Sequence, residues 1–242
     1  MSTTEAATPT SPPRRRVPTW PVPLALVALS LVPVVAGSLR LTDLSTGSTL
    51  MPQDAHHPAL PVALIVHIAC AIVYSLVGAF QFSAGIRRRK PGWHRAAGRI
   101  LVPVGLAVAG SAVWMTLIYP TEVHTGPLLY WSRLLFGLGM TLCLVLGLLA
   151  IRARDIPTHR AWMIRAYALG LGAGTQVVTI GLGQAAFGTS TVVTDAVTAA
   201  GWAINIAVAE AIVRLPRAHE THRDAALHTP SPPARPTKGN PR

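Results

Sequence analysis

Six long apolar runs, each close to the 20 or so residues that a helix needs to cross a bilayer, dominate this 242-residue chain. They cover residues 20–39, 60–82, 100–119, 128–151, 162–183 and 193–215. In hydrocarbon, backbone N–H and C=O groups find no water, so they must pair inside a helix or a closed barrel. None of the runs alternates polar and apolar residues as a barrel strand does. The expected class is therefore all-α: a six-helix transmembrane bundle over residues 17–215. Tails at 1–16 and 216–242 are rich in Pro, Thr, Ser and Ala and show no apolar periodicity, which predicts disorder.

Charge fixes the direction of threading. Only 12% of the residues are charged, about half of what a soluble domain carries, and the mean hydropathy is +0.43. The net charge of +12 would suit a nucleic-acid binder if it were spread over one surface. It is not. Arg14–Arg16 precede the first run, and Arg87–Lys90, Arg95 and Arg99 lie between or at the edges of the second and third. Arg152, Arg154, Arg160 and Arg165 lie around the fourth and fifth, and Arg214 and Arg217 follow the sixth. The alternate connections hold Asp43, Asp54 and Glu122, with Arg40 their one clear base. Every second connection is basic, so the positive-inside rule places both termini in the cytoplasm of a cell-membrane protein and excludes nucleic acid as partner. The first run, with Pro21, Pro23 and Pro33, reads as a retained, kinked helix; a cleaved signal sequence is the alternative. Cys70 and Cys143 both lie inside apolar runs and offer no disulfide framework.

The most specific feature is an internal repeat. Residues 86–96 read IRRRKPGWHRA and residues 151–161 read IRARDIPTHRA. Each segment follows an outside-to-inside run and precedes an inside-to-outside run. The expectation is two copies of one helical hairpin, at about 60–119 and 128–183, related by an axis along the membrane normal. Pro91-Gly92 and Asp155-Ile156-Pro157 read as helix starts. His94-Arg95 and His159-Arg160 then occupy equivalent first turns, where the helix dipole is positive and favours an anion.

Polar residues inside the runs are the remaining signals, because an ionisable group in a span costs free energy and faces a partner or a cavity. His67, Ala71, Tyr74, Gly78 and Gln81 share one helix face, which is either a packing seam or the lining of a ligand or haem site. Gln176 and Asn205 lie within the fifth and sixth runs. Glu210 lies at the depth of Arg165 and Arg99 and is expected to face one of them. No Walker, Rossmann, HExxH or CxxC pattern occurs, and no nucleophile–base pair stands out. The chain is not expected to be an enzyme.

These motifs together resemble a family of bacterial multi-pass membrane proteins classed as a domain of unknown function. The resemblance runs from His67 to Arg214. It rests on the His67 helix ending Gly78-Ala79-Phe80-Gln81-Phe82, the turn His94-Arg95-Ala96-Ala97-Gly98-Arg99, the turn His159-Arg160-Ala161-Trp162-Met163-Ile164-Arg165, and the final Asn205…Glu210. Where the family places a tyrosine after its first turn, this chain has Ile100-Leu101. The resemblance implies an integral membrane protein and no reaction. A looser, fold-level analogy links the histidine-bearing bundle to b561-type cytochromes.

Three functions follow as expectations. The first is a b-type haem held by His94 and His159, with His67 and His124 as outer candidates, for membrane electron transfer. The second is binding or transport of an anion, lipid headgroup, quinone or other small molecule by Arg95, Arg99, Arg160 and Arg165, with Tyr74, Gln81, Asn205 and Glu210 lining the site. The third is a structural or partner-binding membrane protein.

Overall fold

The computed structural model describes residues 20–48, 50, 62–119 and 125–215. The tails, Arg14–Arg16, Arg217, Asp54, Glu122 and His124 lie outside them. The described residues form eight helices and no strand. They are α1 (Pro21–Thr46), α2 (Val62–Gln81), α3 (Ala84–Arg89), α4 (Pro91–Ile118), α5 (Pro127–Arg152), α6 (Ile156–Gly170), α7 (Gly172–Phe187) and α8 (Thr191–Arg214). Five of them, α1, α2, α4, α5 and α8, are long and apolar enough to cross a membrane. The fifth apolar run departs from expectation. It is two helices, α6 and α7, parted at Leu171, and neither alone has the length of a span.

Helix starts follow local chemistry. Asp155 caps α6 by accepting from Thr158 N–H at 3.1 Å, and Pro at the first positions of α1, α4, α5 and α6 fits where no N–H is needed. The two repeat segments start their helices in the same register. His94 N–H bonds to the carbonyl of the N-cap Lys90 at 3.2 Å, and His159 N–H to that of the N-cap Asp155 at 3.0 Å. They differ just before. The first segment carries the short helix α3, whereas the second turns sharply through Arg154, whose φ is 61°.

The helices pack α2 on α4, α5 on α6, and α7 on α8, with α4 on α5 joining the two hairpins. α1 lies on α2 and α7. The interior mixes small, aliphatic and aromatic residues: Ala79, Ala109 and Ala166 are fully enclosed beside Leu144, Met140, Tyr74 and Tyr167. Many other bulky aliphatics are exposed, Leu135, Leu142 and Leu182 among them. That exposed apolar surface suits lipid, which solvates leucine while helices gain by close approach of small residues. In water so large an apolar surface would drive aggregation.

Two tyrosines set the closest approaches. Tyr74 of α2 lies between Gly105 of α4 and Gly170 of α6; a Cβ at either glycine would sit 2.7 or 2.6 Å from its ring. Tyr167 of α6 lies over Gly78 of α2, where a Cβ would meet the ring at 2.5 Å. Its hydroxyl donates to Ser75 O at 2.7 Å, and its ring packs 5.7 Å from Tyr74 and 4.8 Å from Phe82.

Neighbouring helices pack closely on the breaks. Pro33 deprives Leu29 O of its donor, and Gly174 of α7 packs directly against that carbonyl, where a Cβ would lie 2.5 Å away. At the α6–α7 break, Asn205 Nδ2 donates to Ala168 O at 2.9 Å, while Thr175 Oγ1 donates to Asn205 Oδ1 at 2.6 Å. Gln176 Nε2 donates to Thr198 O at 3.1 Å and ties α7 to α8. Broken helices persist in apolar surroundings only when the freed groups are taken up in this way.

Replacing Gly105 or Gly170 with valine forces a branched side chain into the Tyr74 ring. Overpacking of this kind costs about 1–3 kcal/mol, so either variant should melt earlier in detergent. Gly110, where an added Cβ would meet no neighbouring atom within 4 Å, should accept alanine without loss. Equal melting of all three variants would contradict the packing.

Candidate functional site

The sequence-selected residues separate into two ends and a middle. At one end stand the C-terminus of α2, all of α3, the first turns of α4 and α6, and the last turns of α5 and α8. His94 lies within electrostatic reach of Arg87, His159 and Arg95, and Arg87 within reach of Arg160 and Arg88. The two repeat turns therefore meet at one end of the bundle. Trp20 at the start of α1 joins them, 6.4 Å from Phe80 near the end of α2.

The chemistry of this end is donor-rich. Arg95, Arg99 and Arg160 are exposed. Arg87 Nη1 donates to Gln81 O at 3.4 Å. Partial desolvation first, and then the Arg160 and Arg88 guanidiniums, hold Arg87 below the usual arginine value. The His159 ring nitrogen Nδ1 bonds to Gly147 O at 2.8 Å, which leaves Nε2 free of that bond. Gln81 Nε2 and His94 Nδ1 are sealed from solvent and have no hydrogen-bond partner among the described residues. The acids nearby are already engaged. Asp155 is held below the usual carboxylate range by the Thr158 hydroxyl and N–H. Glu210 accepts from Arg165 Nε, accepts from Arg165 Nη2 at 3.1 Å, and lies 3.3 Å from Arg214 Nε. Of the two arginines expected to face Glu210, it is thus Arg165 that does, and its guanidinium also stacks 4.7 Å from the Trp162 ring centre.

His67 belongs to the other end. Its Nδ1 lies 3.0 Å from Val108 O and 3.1 Å from Ser111 Oγ on α4. Ser111 is 17 residues beyond His94 on the same helix, about 25 Å at 1.5 Å per residue, so His67 and His94 share no site. Tyr74 is enclosed in the core between two glycines, and Asn205 is taken up by the α6–α7 break. The α2 face headed by His67 packs on α4 and α6 along most of its length; Gln81, at its end, is the member that reaches the basic cluster.

One buried acid carries no mark in the sequence. Asp195 of α8 is 2% exposed and accepts from Gly126 N–H and Leu129 N–H, both at 3.1 Å. It caps α5 from 66 residues away in sequence, at a helix start that has no cap of its own. No local pattern marks such a cap, because the residue that supplies it and the helix that needs it are unrelated in sequence. Among the described residues no group of three or more His, Cys, Asp or Glu is placed to hold a metal ion.

The family model described as "Predicted membrane protein (DUF2306)" matches residues 64–213. The chain belongs to this family. The matched region takes in α2 to α8 and leaves α1 outside it. No curated protein and no solved structure matches the chain.

Removing Glu210 alone takes the counter-charge from the half-buried Arg165 guanidinium, while removing both charges leaves neither unpaired. Glu210→Gln should lower the melting temperature in detergent, and the pair Glu210→Leu with Arg165→Met should recover much of it. A double variant no better than the single one would mean that the pair contributes nothing specific.

Proposed function

We propose that this protein crosses the cell membrane six times and binds an anionic ligand at its cytoplasmic end, for recognition or transport. In this reading α6 and α7 together make the fifth crossing, α2–α4 and α5–α7 are copies of one hairpin, and both termini are cytoplasmic. The matching register of His94 and His159 behind their N-caps supports the repeat. The excess of arginine at one end supports the orientation.

One observation carries the anion reading. Arg87 and Arg160, from different elements, are close enough to depress one of them, with Arg95 and two histidines beside them, and no ion pair reaches Arg87, Arg95 or Arg160 among the described residues. Arg95 and Arg160 lie near the positive starts of α4 and α6, and like charges gathered there repel unless an anion lies between them. Topology alone asks only for arginines on the correct side, not for their convergence. Anions such as phosphate, citrate and short-chain acidic lipids should raise the melting temperature of the detergent-purified protein. The change Arg95→Ala with Arg160→Ala should abolish that rise. If no anion stabilises the protein, the reading fails.

A second reading, haem b between His94 and His159, draws support from the His159–Gly147 bond. A ligating imidazole is commonly held by its other nitrogen in this manner. Bound haem would supply one-electron chemistry near the cytoplasmic surface, and the neighbouring arginines would pair with its propionates. Protein purified after haem supplementation should then show a Soret band that is lost in His94→Ala and His159→Ala. A colourless preparation removes this reading and leaves the first untouched.

A further inference from the structure

The end of the bundle opposite the arginine cluster is built differently. On the arginine side α6 packs on α2, α4, α5 and α8 and so stands at their centre. At Leu171 the chain leaves that centre: α7 packs on α8 and α1 and on none of α2, α4 and α5. Packed helices lie about 8–10 Å apart, so where a central helix stops, its neighbours enclose a space one helix wide unless side chains close it. The described side chains do not close it. The enclosed apolar core stops at mid-depth, with Tyr74 on α2, Ala109 on α4, Met140 on α5 and Leu171 at the break as its outermost members. Beyond that level no residue of α2 from 62 to 73 and none of α4 from 112 to 118 is buried, on the inward face or the outward one.

Arg133 of α5 is directed into this space. It precedes Gly137, which faces Val113 of α4, by four residues and the core residue Met140 by seven, so it shares their helix face. The lipid-side stripe of α5 runs instead through Trp131, Leu135 and Leu138, 66%, 66% and 57% exposed. Arg133 is half-buried and makes no ion pair and no side-chain hydrogen bond among the described residues. Asp195, the buried acid of this end, is spent on Gly126 and Leu129 N–H, and His67 Nδ1 on Val108 O and Ser111. A charge that lies within a span and faces the bundle interior calls for a counter-ion, and its inward direction turns Arg133 from the lipid headgroups. One guanidinium fork matches one carboxylate, bidentate and of single charge. One turn deeper the surroundings are apolar: Phe136 packs 5.2 Å from Trp202, and Trp202 lies on Gly172 at the start of α7. A few polar groups above an apolar floor are what small organic ligands use. We propose that Arg133 anchors a site for a small organic monocarboxylate with an apolar body, at the end of the bundle opposite the arginine cluster. Arg133 stands 19 residues from Arg152 on the same helix, about 28 Å at 1.5 Å per residue, so the site is separate from the basic end and does not rest on the anion reading given to that end.

The test uses the full chain in neutral detergent, with binding followed by thermal shift and calorimetry. The probes are benzoate, 3-methylbutyrate, benzyl alcohol, inorganic phosphate and dihexanoyl phosphatidylglycerol. Benzoate or 3-methylbutyrate should bind at least tenfold more tightly than benzyl alcohol or phosphate. Arg133→Gln should weaken carboxylate binding tenfold or more, and Arg133→Lys, which keeps the charge and loses the fork, should fall between. The Arg95→Ala, Arg160→Ala pair should leave it within twofold. Without ligand, Arg133→Gln should melt no lower than the parent chain, because it removes an unpaired half-buried charge; an arginine that only holds the helices together would give a lower melt. Access is read separately. In a Cys70→Ala background, Arg133→Cys should react with a water-soluble methanethiosulfonate, benzoate should slow that reaction at least threefold, and Leu135→Cys on the lipid face should react little. If phosphatidylglycerol binds more tightly than the carboxylates and Arg133→Gln removes that binding, Arg133 is a lipid anchor and the proposal is wrong. If Arg133→Gln binds carboxylates like the parent, or the parent binds none of them, the proposal is overturned, while the anion reading of the basic end stands or falls by its own arginine pair.

Discussion

Two tyrosines inserted against glycines hold this bundle in register. Tyr74 enters from α2 between α4 and α6, and Tyr167 enters from α6 over α2. Each ring fills a gap that exists only because the facing residue has no side chain. The two rings also touch one another, so the contact closes on itself and links both hairpins. The Tyr167 hydroxyl is used up on the Ser75 carbonyl, which gives that polar group a partner in the centre of the bundle. Aromatic rings supply the contact area that the small residues of a membrane interior lack. The convergence of the two basic turns depends on this register, since sliding α2 along α6 would carry Gln81 and α3 away from Arg160.

The same economy governs the interruptions. Pro33 and the break at Leu171 each interrupt a helix within apolar surroundings; at the second, Asn205 Nδ2 takes up Ala168 O, and at the first Gly174 lets α7 pack closely against Leu29 O. Polar residues that the sequence marks as conspicuous, Asn205 and Gln176, therefore serve backbone repair and helix pairing before any ligand. His67, bonded to the α4 backbone and Ser111, is of the same kind. At the basic end the balance differs. There Gln81 Nε2 and His94 Nδ1 remain without hydrogen-bond partners among the described residues.

Much of this is legible in the sequence where the signal is long or strongly charged. Apolar runs of bilayer length can only be helices. Matched depth narrows the partner of Glu210 to Arg165 or Arg99, because an ion in a span needs its counter-ion at the same level; the packing of α6 on α8 selects Arg165. The break at Leu171 is not legible. Gly170, Gly172 and Gly174 look the same whether they permit close packing of one helix or mark the seam between two. The cap supplied by Asp195 is hidden for a different reason: its partner, the start of α5, is 66 residues distant. α3 is lost inside a basic stretch that reads as a loop, since three consecutive arginines hide the Ser83 cap that starts it.

The sequence by itself determined the helical class, the positions of the apolar segments and which connections carry the arginines. Those properties follow from hydrocarbon length and charge, each summed over local stretches of chain. Only the tertiary structure decided which polar residues are spent on one another and which are left over. That outcome depends on the rotation and depth of each helix, and these are set by glycine-sized gaps and ring contacts between segments far apart in the chain. Gln81 and His94 look no different in sequence from Gln176 and His67. Each leaves one buried side-chain atom without a hydrogen-bond partner among the described residues, an outcome of packing and not of local sequence.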